Sequence, residues 1–287
     1  YIVMKRLTFL VIFHFLVVIF YVALAKDDSI YIVHTSDTHS LVEPFPVNHS
    51  DTTQAGKGGY LRRLALVEEL RCEHTNNMLL FDCGDFSQGS LYYNVYRGEL
   101  EVKLMNLMRY DACAIGNHEL DYGLENLAHL ARTAEFPFVC CNYDFKGTPC
   151  DGLIKPYVVI ERSGVRIGVF GVSPQPKGLI LKRNMKGMRY TSPAKAAKSV
   201  IKHLRKKEGC DVIICLSHLG LGEQKDMDID FIRHTSGIDV LLGGHTHVLL
   251  PQPLYLRDSK GDEVIVMHEG KYGCSVGTLE IRLSQTE

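Results

Sequence analysis

From residue 30 onward the chain alternates short apolar runs with amphipathic stretches, and this alternation limits the fold more than any other feature. Residues 30–33 read as a buried strand, and residues 61–70 as a helix with Leu61, Leu64, Ala65 and Glu68 at helical spacing. A strand at 78–81, a helix at 99–108 and a strand at 112–115 follow, then a helix at 124–133 and a strand at 136–140. The runs 156–161 and 165–170 flank Ser163-Gly164, a hairpin signal. Pro193 suits the first turn of a helix over 194–207. A strand at 212–216, a helix at 226–234 and strands at 238–242, 263–267 and 277–283 complete the pattern. Strands and helices in turn argue for an α/β domain on a mainly parallel sheet with hairpins at its margins.

Composition agrees with a folded body. With 46% hydrophobic and 23% charged residues, disordered, collagenous and disulfide-scaffold classes are excluded. The balance of 32 Lys+Arg against 33 Asp+Glu leaves no whole-chain basic field for a nucleic-acid polymer. The N-terminal segment is different in kind. Lys5 and Arg6 precede an uncharged run at 7–25 that ends in Ala23-Leu24-Ala25, ahead of Lys26-Asp27-Asp28. This pattern predicts an export signal over 1–25, with Met4 as its start, cleaved or retained as a membrane anchor. Residues 26–287 are then expected to form a single domain in the periplasm or outside the cell. Nine cysteines are an odd number. Cys83, Cys113 and Cys215 lie in apolar runs as small packing residues, no zinc-type paired spacing is present, and no disulfide pairing is assigned.

Ligands in open α/β sheets collect beyond the carboxyl ends of the strands, and five of these exits are chemically loaded. They carry Asp37-Thr38-His39, Gly84-Asp85, Gly116-Asn117-His118-Glu119, Ser217-His218 and Gly243-Gly244-His245-Thr246-His247. Any one of them alone is better explained as a cap or a satisfied polar residue. Five in succession are not. Asp, Asn and His without a thiolate suit Mn, Zn, Fe(II) or Co rather than a closed structural zinc. Asp37, His39, Asp85, Asn117, His218, His245 and His247 make seven candidate ligands. That is too many for one ion and fits two divalent ions if Asp85 bridges them, about 3.5–4 Å apart as in hydrolytic displacement at phosphorus.

These five blocks resemble those of the calcineurin-like metallophosphoesterases. The variants His34-Thr35-Ser36-Asp37, Gly84-Asp85-Phe86-Ser87-Gln88-Gly89 and Asn117-His118-Glu119-Leu120-Asp121-Tyr122-Gly123 are similar to the secreted 5′-nucleotidase group. The resemblance implies a β-sandwich flanked by helices. It places one ion on Asp37, His39, Asp85 and His247 and the other on Asp85, Asn117, His218 and His245. It further implies a metal-activated water attacking phosphorus in line, His118 contacting the phosphate or assisting the leaving group, and Asp121 orienting that imidazole. Nucleotide monoesters are the implied substrates. A 2′,3′-cyclic-nucleotide or other phosphodiesterase, and a non-catalytic metal-binding partner subunit, are the alternatives.

Two departures bear on this expectation. Ser40 stands where the family often has Gly after Asp-x-His, and a small residue is expected to substitute there. Full 5′-nucleotidases of this group carry a second, C-terminal domain that holds the nucleoside, and those base-binding residues are expected to be missing from this polypeptide. Either a separate chain supplies those contacts or the protein is a free-standing phosphatase of different specificity. His34 is expected to pack behind the site, and Asn142 is a candidate to reach it. His74, His129, His203 and His234 are expected to be exposed on helices, and the basic run at 202–207 to be a solvated face.

Overall fold

The computed structural model describes residues 29–282. The expected export signal at 1–25 lies outside them. No helix of the described residues is long and apolar enough to cross a membrane.

The strand readings hold, but they sort into two main sheets rather than one mainly parallel sheet. The first has the order β13-β1-β2-β3-β4. It comprises β1 (Ser29–Thr35), β2 (Met78–Asp82), β3 (Ala112–Ala114) and β4 (Phe138–Val139), all parallel, with β13 (Gly277–Arg282) antiparallel at one edge. The second has the order β11-β12-β10-β9-β7-β6. Its parallel centre is β7 (Val165–Val172), β9 (Val212–Ser217), β10 (Val240–Gly243) and β12 (Glu263–His268), bounded by antiparallel β6 (Tyr157–Arg162) and β11 (Leu254–Arg257). A small pair of β5 (Tyr143–Asp144) and β8 (Arg189–Tyr190) stands apart.

Near-continuous apolar strands are buried on both faces, and their period-two alternation assigns each face a different layer. Ile30 and Ile32 of β1, Leu79 and Phe81 of β2, and Val212, Ile214 and Leu216 of β9 pack together between the two sheets. Val33, Met78 and Leu80 point the other way, onto α1 (Tyr60–Glu73), α3 (Glu99–Met108) and α4 (Gly123–Thr133). Ile213 and Cys215 face α5 (Pro193–Lys206) and α6 (Asp228–Arg233). The result is a β-sandwich with helices on both outer faces. A short α2 (Leu91–Tyr96), capped by the Ser90 side chain, was not legible as a periodic run.

Helix α1 corrects one detail. It buries Tyr60, Arg63 and Val67, whereas Leu61 is 77% exposed, so the helix is turned away from the apolar face that Leu61 and Glu68 suggested. The cause is a buried cation. Arg63 lies over the Tyr60 ring, 4.4 Å from Cζ to centroid. Burial disfavours its charge, but Tyr110, Tyr60 and Asp82 outweigh that and hold the guanidinium above its ordinary pKa. All nine cysteines are free, with Cys83, Cys113 and Cys215 buried as expected.

Candidate metal centre

The parallel strands of both sheets end at the same edge of the sandwich, and all five loaded exits meet there. Asp37, His39, Asp85, Asn117 and His118 come from the first sheet; His218, His245 and His247 come from the second. His39 Nε2 and His247 Nε2 lie 3.0 Å apart. His218 Nε2 is 3.0 Å from Asp85 Oδ2, and His247 Nε2 is 3.6 Å from Asp37 Oδ1. Two ligand groups result, Asp37/His39/His247 and Asp85/His218/His245, with His39, Asp85 and His118 forming a third between them.

The backbone is bent to make this possible. Asp37, His39, Asp85, His245 and His247 all have positive φ, between 44° and 74°. Such residues cost about 1–3 kcal/mol each and persist only where the surroundings over-determine them. Those surroundings are visible. Asp37 N donates to Gly84 O at 2.9 Å, His39 N to Asp85 O at 3.0 Å, and Tyr272 N to Asp37 O at 2.7 Å. Gly116 leaves room for the Asp85 carboxylate, since a Cβ there would stand 2.1 Å from Asp85 Oδ1.

The donor set fits divalent cations. His218 is fully buried and donates from Nδ1 to Cys83 O at 2.7 Å, which aims Nε2 into the cluster. The Asn117 Oδ1 is buried without a hydrogen-bond partner, and the His218 Nε2 has the Asp85 carboxylate beside it. Two imidazole nitrogens in contact, an orphaned amide oxygen and two carboxylates converging on one volume are what cations between them would reconcile.

Electrostatics point the same way. Burial and the neighbouring Asp85 charge push Asp37 up to about 7. Burial, with the neighbouring imidazoles, lowers His39 and His245 to about 4, so both imidazoles are neutral at pH 7. Burial disfavours the charge of His218, yet Asp85, Asp37 and Glu119 push it up to about 10. Burial also opposes ionisation of Asp85, but His218 and the other imidazoles hold it well below the usual carboxylate range.

His118 stands at the open side, its side chain 30% exposed, with Nδ1 2.8 Å from Asp121 Oδ2. Burial lowers its pKa, but the Asp121 bond and the charges of Asp85, Asp121 and Glu119 outweigh it and raise the imidazole above its ordinary value. Asp121 therefore serves His118, while Tyr122 sits at the N-cap of α4 with no side-chain cap bond.

Other expectations resolve differently. Asn142 is fully engaged with Ser173, donating to its carbonyl at 2.8 Å and accepting from its N–H at 2.9 Å. It is a buried brace between loops. His34 is fully buried, 3.4 Å from Glu269. His129 and His234 are exposed, whereas His74 stacks on Tyr31 and His203 is half-buried. Ser40 is buried with positive φ, so the serine occupies the conformation a glycine would take. Glu119 lies within one of the five motifs, where its residue type alone indicates no role. It accepts from the N–H groups of Asp85, Gly116 and Ser87 and from the Ser87 hydroxyl, tying two ligand loops together. Its burial was invisible to a reading by residue type.

Comparison with known proteins agrees with this geometry. The model of the calcineurin-like phosphoesterase family matches residues 30–249. Snake venom 5′-nucleotidase of Crotalus adamanteus is 31% identical over 270 residues, covering 87% of this chain and 44% of that protein. Human 5′-nucleotidase is 29% identical over 273 residues, covering 88% and 46%. The structure of a 5′-nucleotidase precursor from Thermus thermophilus superposes with a TM-score of 0.80 at 32% identity, over 89% of this chain and 52% of that one. The chain thus spans about half the length of these relatives. With the five strand-exit motifs gathered at one edge of a helix-flanked sandwich, the chain belongs to the calcineurin-like phosphoesterase family.

Proposed function

We propose that the protein hydrolyses phosphate monoesters, with nucleoside monophosphates as substrates, at a site holding two divalent cations drawn from Mn, Zn, Fe(II) or Co. The observation that carries this reading is the grouping of Asp37, His39, His218, His245 and His247 about Asp85, with the Asn117 Oδ1 buried and unpartnered and His118 facing the same cluster. One cation is assigned to Asp37, His39, Asp85 and His247, the other to Asp85, Asn117, His218 and His245. Bound there, the cations supply charge against the phosphoryl oxygens and a water of lowered pKa. The chain's own residues do the rest. His118, kept protonated by Asp121, donates to the leaving oxygen, and Glu119 keeps the Asp85 and Gly116 turns in register.

The 5′-nucleotidase relatives support the nucleotide assignment, and the venom relatives support an exported protein. Similarity to the trifunctional nucleotide phosphoesterase YfkN of Bacillus subtilis supports phosphodiester cleavage as a second reading. Metal-loaded protein assayed on nucleoside monophosphates against 2′,3′-cyclic nucleotides separates the two. Faster release of phosphate from the monophosphates is expected; hydrolysis of neither would leave a metal-binding subunit. Purification from the native cell tests whether a separate chain contributes the nucleoside contacts.

A further inference from the structure

We propose that a buried Ser217–Asp228–His268 bridge fixes the ligand-bearing turns of the second sheet and thereby sets the metal affinity of the Asp85/His218/His245 group. The proposal rests on the metal-binding reading above. Ser217 of β9, Gly243 of β10 and His268 of β12 are register partners, one row across three strands at the metal edge. His218, Gly244-His245 and Glu269 come immediately after that row. Asp228, at the start of α6, closes over it. Its Oδ1 accepts from Ser217 Oγ at 2.5 Å, and its Oδ2 accepts from His268 Nε2 at 2.9 Å.

The side chains meet across the middle strand, and Gly243 is what lets them. A Cβ at Gly243 would stand 2.1 Å from His268 Nε2. The bridge reaches the ligands by short covalent and hydrogen-bonded steps. Ser217 Oγ accepts from Leu219 N at 3.1 Å, so both neighbours of His218 are tied to one hydroxyl. Ser217 O accepts from Gly244 N at 3.0 Å, one residue before His245. Asp228 N donates to Gly220 O at 2.9 Å, which closes the turn after His218 from the other side.

The three residues are 0–1% exposed. A buried carboxylate with polar partners adds little stability over well-packed apolar groups. Its positional effect is what the geometry offers here. Groups that orient metal ligands from behind typically change metal affinity 10–100-fold when removed.

The test is a calorimetric titration of the full chain with Zn or Mn, set beside the thermal midpoint of the metal-free protein. The relevant binding step is the one that His218→Ala loses. Ser217→Ala and Asp228→Asn should weaken that step roughly 10–100-fold. Ile214→Ala, in β9 but facing the sheet interior, should lower the thermal midpoint and leave the step within a few-fold of wild type. Unchanged affinity in both bridge variants would overturn the proposal. So would an equal weakening by Ile214→Ala, which would mark the bridge as ordinary packing. If Asp228→Asn does not fold, Ser217→Ala alone decides, because it removes one oxygen and little volume. Uptake of a single ion by the wild type would instead count against the two-cation reading and leave the bridge test intact.

Discussion

A histidine 2.8 Å from a carboxylate and open to solvent on one side can carry a proton to a leaving group without being a ligand itself. His118→Ala should therefore lower turnover about 10²–10⁴-fold while metal content, measured by elemental analysis, stays at the wild-type level. Loss of both ions in that variant would show that His118 is a ligand. Asp121→Asn removes a group that raises the His118 pKa. The alkaline limb of the kcat profile, which reports the protonated acid, should move to lower pH; an unmoved limb would detach Asp121 from the chemistry. His218 gives a thermodynamic counterpart. Pushed up to about 10 in the metal-free chain, it holds a proton at neutral pH that a cation must displace. Metal affinity should therefore rise with pH through the neutral range, and titrations in two buffers of different ionisation heat should show net proton release.

At the scale of elements, the turns matter more than the strands that lead to them. Five candidate ligands have positive φ, and Gly84, Gly116 and Gly244 leave room for the Gly116 backbone, Asp85 and Asp37 to pass close by. Gly116→Ala puts a methyl against Asp85 Oδ1 and Asp85 N, so a clear loss of metal with modest loss of stability is expected, read by titration and by thermal melting. Strand residues respond in the opposite sense. Ile214→Ala, between the two sheets, should cost about 2–5 kcal/mol of stability by denaturant unfolding. The strand exits were legible because apolar runs of period two stop abruptly at Gly, Asp and His. Helix α1 was misread because its buried face centres on a charged residue, Arg63, which no apolar-periodicity rule selects. Asp228 and His268 were missed for a related reason. Each is an isolated polar residue at an element end, and only the register Ser217–Gly243–His268 brings them together.

In the whole molecule, two sheets with their parallel strands ending at one edge allow six candidate ligands separated by up to 210 positions, from Asp37 to His247, to share one volume. Alternation of strands and helices implied parallel pairing but could not divide the strands between sheets, because that division depends on which face of each strand meets which layer. The candidate ligands were readable from their types and order. Their burial, and the hydrogen bonds of Glu119 behind them, were not. The claim that everything else depends on is that Asp85 sits between two cations. Anomalous diffraction from crystals of the protein loaded with Mn or Zn tests it most directly. Two peaks about 3.5–4 Å apart on either side of Asp85 are predicted, one beside Asp37, His39 and His247 and the other beside Asn117, His218 and His245. A single peak, or two that do not share Asp85, would contradict it.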